Sequence, residues 1–205
     1  MPADRKSVKR LAASDRRAQL LDRAREAFSI DGYHGASMEQ IAVSAGVTKP
    51  VLYQHFASKK ELYVAVLEED ADRVLEAVRA AIAGTHGSQR IKRGLETYFR
   101  FIDANVDTFR LLFRETMGAE PGFREAIERF HDMAAASIGA IIAEETGKSL
   151  DESELLARGI VGMTEATAAW WLDRKQHLPI DGVVADLSEL AWKGLASLPR
   201  KEGTS

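Results

Sequence analysis

The 205-residue sequence contains no cysteine. Disulfides, zinc–thiolate sites, iron–sulfur clusters and thiol nucleophiles are thereby excluded. The absence also fits a reducing, cytoplasmic setting. No long apolar run is present. The longest nearly uncharged stretch, Gly159 to Leu172, is interrupted by Glu165, and a membrane span needs about 20 apolar residues. Met1 to Arg10 has no apolar h-region, so no signal peptide is expected. No stretch alternates with the period of a half-buried strand, and no internal repeat or Gly-rich phosphate loop is found. The five histidines, His34, His55, His86, His131 and His177, are scattered. Glu128, His131 and Asp132 have helical ligand spacing, but such a trio is common on a solvated face. An enzyme, a metal site and a bound cofactor are therefore not expected.

What is present reads as a globular chain with 45% apolar and 29% charged residues. The net charge of −3 conceals a split. Residues 1–60 carry 11 Lys/Arg against 6 Asp/Glu, or +5, leaving 17 against 25, or −8, beyond them. Such asymmetry points to a nucleic-acid-binding end or to a basic tail.

The remaining pattern is helical. Leu20, Leu21, Ala24, Ala27 and Phe28 share one helix face, and Asp31-Gly32 supplies a stop. Ser37-Met38-Glu39-Gln40 reads as a capping box opening a short helix. Gly46 interrupts it, and Thr48 can cap another, with Pro50 in its first turn. Ser58-Lys59-Lys60-Glu61 reads as a second box, opening a long helix. Further apolar faces run through Ile91–Val106, Phe109–Met117, Phe123–Ile141, Leu155–Leu172 and Val183–Leu195. The expected fold is all-α, with about nine helices.

A short capped helix, a Gly-containing turn and a second short helix describe a helix-turn-helix, inside the +5 region. The second helix of such a pair enters the major groove. Here it exposes Thr48, Lys49, Pro50, Tyr53, Gln54 and His55, while Val51, Leu52 and Phe56 face inward. Lys49 suits guanine O6 or N7. Gln54 either reads adenine or turns away. Ser37, Tyr53 and Lys59 can donate to phosphates, and Ser37 can cap its helix at the same time.

Residues Gly35 to Ala42, Ala45 to Phe56 and Ser58 to Leu62, with Ala27-Phe28 and Gly32-Tyr33, resemble the DNA-binding domain of the tetracycline-repressor (TetR) family. The resemblance covers about residues 14–67. It implies a homodimeric bacterial transcriptional regulator, usually a repressor, released from a double-stranded, palindromic operator by a small molecule. Ser37, Met38, Thr48, Lys49, Tyr53, Gln54, His55 and Lys59 are the implied DNA contacts. Pro50 departs from the family pattern, because it has no N–H to donate. The basic arm Arg5, Lys6, Lys9, Arg10, Arg16 and Arg17 either follows the DNA or is a solvated tail. The expected domains are 1–58, binding DNA, and 59–205, binding effector and partner subunit, with the helix from 59 as connector. Effector-independent DNA binding and control by a protein partner remain alternatives.

Residues 89–130 hold seven of the fifteen aromatics. Tyr98, Phe99, Ile102, Phe109, Phe113, Met117, Phe130, Met133, Glu165 and Trp171 are expected to line an apolar effector pocket. Glu165 either pairs with an arginine or contacts the effector. Arg110 and Arg114, at i and i+4, either receive an acidic head group or are solvated. Leu155, Gly159, Gly162, Ala166, Trp170, Val184, Leu187, Ala191 and Leu195 are assigned to a four-helix dimer interface that the resemblance implies.

Overall fold

The computed structural model describes residues 13–106, 109, 121–174 and 178–196. Among these the chain is helical throughout and has no strand. Eight helices follow in order: α1 Ala13–Gly35, α2 Met38–Ser44, α3 Lys49–His55, α4 Lys59–Ile82, α5 Gly87–Ala104, α6 Pro121–Thr146, α7 Leu150–Asp173 and α8 Ile180–Ala196. The ninth expected segment, Phe109–Met117, lies almost wholly outside the described residues, as do Arg110, Arg114 and residues 1–12. The chain divides into two compact units, the first ending at Val66 and the second starting at Leu67. Helix α4 passes through the division.

In the first unit, α1 is broken at Gly32, whose φ of 71° lies in the left-handed region. That conformation turns the chain where Asp31-Gly32 predicts a stop. The Ser37 side chain caps α2 by accepting the Gln40 N–H at 3.1 Å. Gly46, with φ 66°, makes the turn between α2 and α3. Leu20, Ala24, Phe28, Ile41, Ala42, Leu52, Phe56 and Leu62 are buried in this unit. Tyr63 meets the Phe28 ring edge-on at 4.9 Å and lies 5.0 Å from the Tyr33 ring. The Ser58 hydroxyl accepts the Glu61 N–H, and the Glu61 carboxylate reaches back to the Ala57 N–H.

In the second unit, α6 packs along α7, and α5 packs along α8. Gly139 permits the first pairing. A Cβ there would stand 3.2 Å from the Glu154 Cα, tighter than ordinary van der Waals contact. Ala135, Ile142 and Ala157 form the seam. Helix α7 begins five residues before the expected Leu155. A complete capping box between Ser149 and Glu152 starts it. Hydrogen bonds from the Ser149 side chain and backbone hold the Glu152 carboxyl below its ordinary range. Around the α5–α8 pairing, Leu95, Phe99, Ile102, Phe109, Trp171, Leu172, Val183, Val184 and Leu187 form the main core.

Candidate nucleic-acid interface and effector cavity

The first unit presents α3 with its polar side outward. Leu52 is fully buried, whereas Thr48, Lys49, Pro50, Tyr53 and Gln54 are exposed and His55 is half-buried. Thr48 occupies the N-cap of α3, yet its side chain makes no capping hydrogen bond. Its hydroxyl is therefore available outward. The Lys49 ammonium lies 4.0 Å from the Glu39 carboxylate, both side chains exposed. An exposed pair of this length contributes little, so Lys49 can leave it for a base or phosphate. Pro50 withholds one N–H from the first turn.

Two residues of the expected contact set have a different part in the structure. Met38 is buried, with 7% of its surface exposed, so its side chain belongs to the core. It keeps only a first-turn main-chain N–H to offer an anion. The Lys59 ammonium donates to the Ala36 carbonyl at 3.0 Å and to the His34 carbonyl at 3.3 Å. It also lies 4.8 Å from the Tyr33 ring centroid. Lys59 thus closes the carbonyl end of the broken first helix. Arg16 donates to Gln19, and Arg17 lies over the Phe56 ring at 4.9 Å.

The second unit holds a cavity of about 590 Å³, partly open to solvent, within the range of small-molecule sites. Its walls are apolar, with Val74, Val78, Leu95, Ile138, Ile141 and Ile160 prominent. Arg79, His86, Arg90, Glu145 and Thr146 gather at one end, and Tyr98, Thr164 and Glu165 at the other. At the first end Arg90 pairs with Glu145 at 2.9 Å, and Arg79 donates to the Ser137 hydroxyl. At the second, Glu165 Oε2 lies 2.8 Å from His131 Nε2. Among the described residues, Glu165 therefore pairs with a histidine instead of an arginine. Burial and the nearby Glu165 carboxylate hold the Tyr98 phenol far above its ordinary pKa. A smaller void of about 40 Å³ adjoins, sharing Val74, Tyr98, Phe130 and Glu165 as walls.

The expected pocket set separates accordingly. Tyr98, Phe130 and Glu165 line the large cavity, and Phe109 lines the small void. Phe99, Ile102 and Trp171 line neither, because they interlock in the core, with Phe99 and Trp171 edge-to-face at 5.8 Å. Met133 faces outward at 41% exposure. Phe113 and Met117 lie outside the described residues. The expected set follows aromatics and omits the aliphatic walls on α4 and α6, although Ala134, Ile138 and Ile141 lie on the apolar face of α6 that the sequence shows.

The expected pairing surface separates likewise. Leu155, Gly159, Gly162, Ala166 and Trp170 form an exposed stripe along α7. Val184, Leu187 and Ala191 are buried against their own subunit's core. The stripe of an amphipathic helix covers the nearest core first. Leu190, 62% exposed, lies at the edge of that buried stripe, seven residues after Val183. The Leu195 side chain is outside the described set. Glu128, His131 and Asp132 do not converge, since His131 meets Glu165 and Asp132 meets Arg158. No metal-binding cluster occurs among the described residues, and none of their helices is long and apolar enough to cross a membrane.

The family description "Bacterial regulatory proteins, tetR family" matches residues 20–66. The description "Tetracyclin repressor-like, C-terminal domain" matches residues 88–194. The chain is 35% identical over 191 residues to the HTH-type transcriptional activator FasR of Mycolicibacterium smegmatis, spanning 93% of this chain and 87% of FasR. The chain belongs to the tetR family. This tetR-family chain is a DNA-binding transcriptional regulator, as its relatives are. Its fold matches a TetR-like regulator from Rhodococcus sp. RHA1 with TM-score 0.69 and 29% identity, over 92% of this chain and all of that one. It also matches the Bacillus subtilis regulator FadR, solved with stearoyl-CoA, at TM-score 0.73 and 18% identity, over 86% of this chain and 98% of FadR. At that identity the likeness is one of fold. TetR-family regulators bind DNA through the N-terminal unit that α1–α3 form here.

Proposed function

We propose that this regulator binds a palindromic operator as a homodimer and leaves it when an apolar or amphipathic molecule fills the 590 Å³ cavity. The observation carrying this reading is that one helix serves both units. Helix α4 starts at Lys59 in the DNA-binding unit and supplies Val74, Leu75, Val78 and Ile82 to the cavity wall. A ligand that reshapes the wall bears directly on that helix. Coupling of about 1–3 kcal/mol is typical of such linkage.

Thr48, Lys49, Tyr53, Gln54 and His55 read the groove from α3, and Ser37 and Met38 contribute from the start of α2. The exposed α7 stripe and Leu190 form the pairing surface. Two recognition helices then meet grooves about 34 Å apart. Bound over a promoter, such a dimer represses. Bound upstream of one, the same dimer can activate, and FasR is named as an activator. No reaction is assigned to the cavity.

The test is fluorescence anisotropy of a labelled palindrome from the regulator's own promoter region. Stearoyl-CoA, the molecule named with the Bacillus subtilis FadR, is the first probe. Probe binding is expected to weaken operator affinity at least fivefold. Ile138→Trp, which narrows the cavity, is expected to weaken that response while DNA binding persists. Tight probe binding with unchanged operator affinity would refute release.

A further inference from the structure

The large cavity is not uniformly greasy along its length. Phe130 and Glu145 both line it from α6, and they stand about four turns apart, roughly 22 Å at 1.5 Å per residue. The Glu145 end carries the charged side chains of Arg79, Arg90 and Glu145. The Phe130 end holds Tyr98, Thr164 and Glu165 among apolar neighbours.

Protein hydrogen bonding at the Glu165 end is incomplete. Glu165 meets His131 through Oε2. Its Oε1 has no hydrogen bond among the described residues, and neither has the Tyr98 hydroxyl. The Thr164 hydroxyl donates to the Ile160 carbonyl at 2.7 Å, which leaves its lone pairs able to accept. An acceptor carboxylate, a donor phenol and an accepting hydroxyl therefore border one end of an apolar channel. A bare methyl terminus pressed there would displace the water that solvates the partly exposed Glu165 and Tyr98 without replacing its hydrogen bonds. A hydroxyl both donates and accepts, so it can satisfy Glu165 and Tyr98 together.

We propose that the Tyr98–Glu165 end of the cavity is a recognition site for a hydroxyl at the far end of an apolar effector. His131 acts here as a positioning residue that fixes the Glu165 carboxylate. The proposal rests on the reading of the cavity as the effector site. The ligand it selects has an apolar body, an anionic or polar head at the Arg79–Arg90 end, and a terminal hydroxyl. Sites built to bond a hydroxyl discriminate strongly against analogues lacking it, because their own polar groups are left unpaired.

The experiment compares palmitate with its ω-hydroxy derivative, by calorimetric titration into the full-length protein. Wild type is expected to bind the hydroxylated chain at least about tenfold more tightly. Glu165→Leu is expected to reverse or erase that preference. Tyr98→Phe, which removes one oxygen, covers the case in which Glu165→Leu fails to fold, and should reduce the preference severalfold. His131→Gln should have a smaller effect in the same direction. Equal or tighter palmitate binding by wild type would overturn the hydroxyl site and leave the effector cavity standing. A preference that survives both Glu165→Leu and Tyr98→Phe would place the selectivity elsewhere and overturn the assignment. Failure of both chains to bind, with a palindrome still bound, would overturn the effector reading together with this one.

Discussion

Lys59 offers a direct test of which role a basic residue beside the recognition helix fulfils. Replacing it by methionine keeps most of the stem and deletes the charge. The ammonium makes hydrogen bonds of 3.0 and 3.3 Å to the Ala36 and His34 carbonyls. A hydrogen bond to a charged group contributes about 1.5–3 kcal/mol. The longer bond is exposed and lies at the weak end. The contact with the Tyr33 ring adds about 0.5–1 kcal/mol. Water re-solvates part of the freed carbonyls, so the net loss is about 1–3 kcal/mol. For a chain of this size each kcal/mol lowers Tm by about 2–4 °C. Urea unfolding followed by near-ultraviolet circular dichroism, which reads Tyr33 and Tyr63, measures the loss. Operator affinity against salt is measured in parallel. Stability within about 0.5 kcal/mol of wild type, with a salt slope smaller by about one phosphate, would refute the structural role and make Lys59 a DNA contact.

Gly46→Val should destabilise the first unit by about 1–2 kcal/mol, because its φ of 66° suits no branched side chain although the surrounding space is open. Denaturant unfolding checks that value, and no change would mean that the turn can be rebuilt without a left-handed residue. Trp170→Glu places a charge in the exposed α7 stripe. It should raise the dimer dissociation constant at least tenfold by analytical ultracentrifugation while leaving helicity unchanged.

The helices were legible because their signals are local. Ser37, Gly46 and Ser58 mark boundaries by chemistry contained within four residues, and the structure agrees at each. The α7 start at Ser149 carries the same signal, but the apolar spacing from Leu155 onward drew the boundary inward. Which way a face points is a different kind of information. Val184 and Leu187 share a stripe that would serve a partner subunit or the protomer's own core, and only the position of α5 decides between them. The aromatic cluster misled for a related reason. Large rings such as Phe99 and Trp171 fill space best in contact with one another, so they close a core. Smaller aliphatics on α4 and α6 leave the void. Lys59 shows the same limit, since its partners lie more than twenty residues earlier in the chain.

The unfilled volume in the second unit has a bearing on how long the protein lasts as well as on what it senses. Side chains around 590 Å³ of space lack the dispersion contacts that a packed interior supplies. Any molecule that occupies it stabilises the folded state, by about 2.7 kcal/mol at a hundredfold excess over its Kd. Changes of this size alter the fraction of chains open to proteolysis, and with it cellular abundance. The molecule that empties the operator would then also preserve the regulator, keeping a stock of folded dimer ready to rebind when the molecule is consumed.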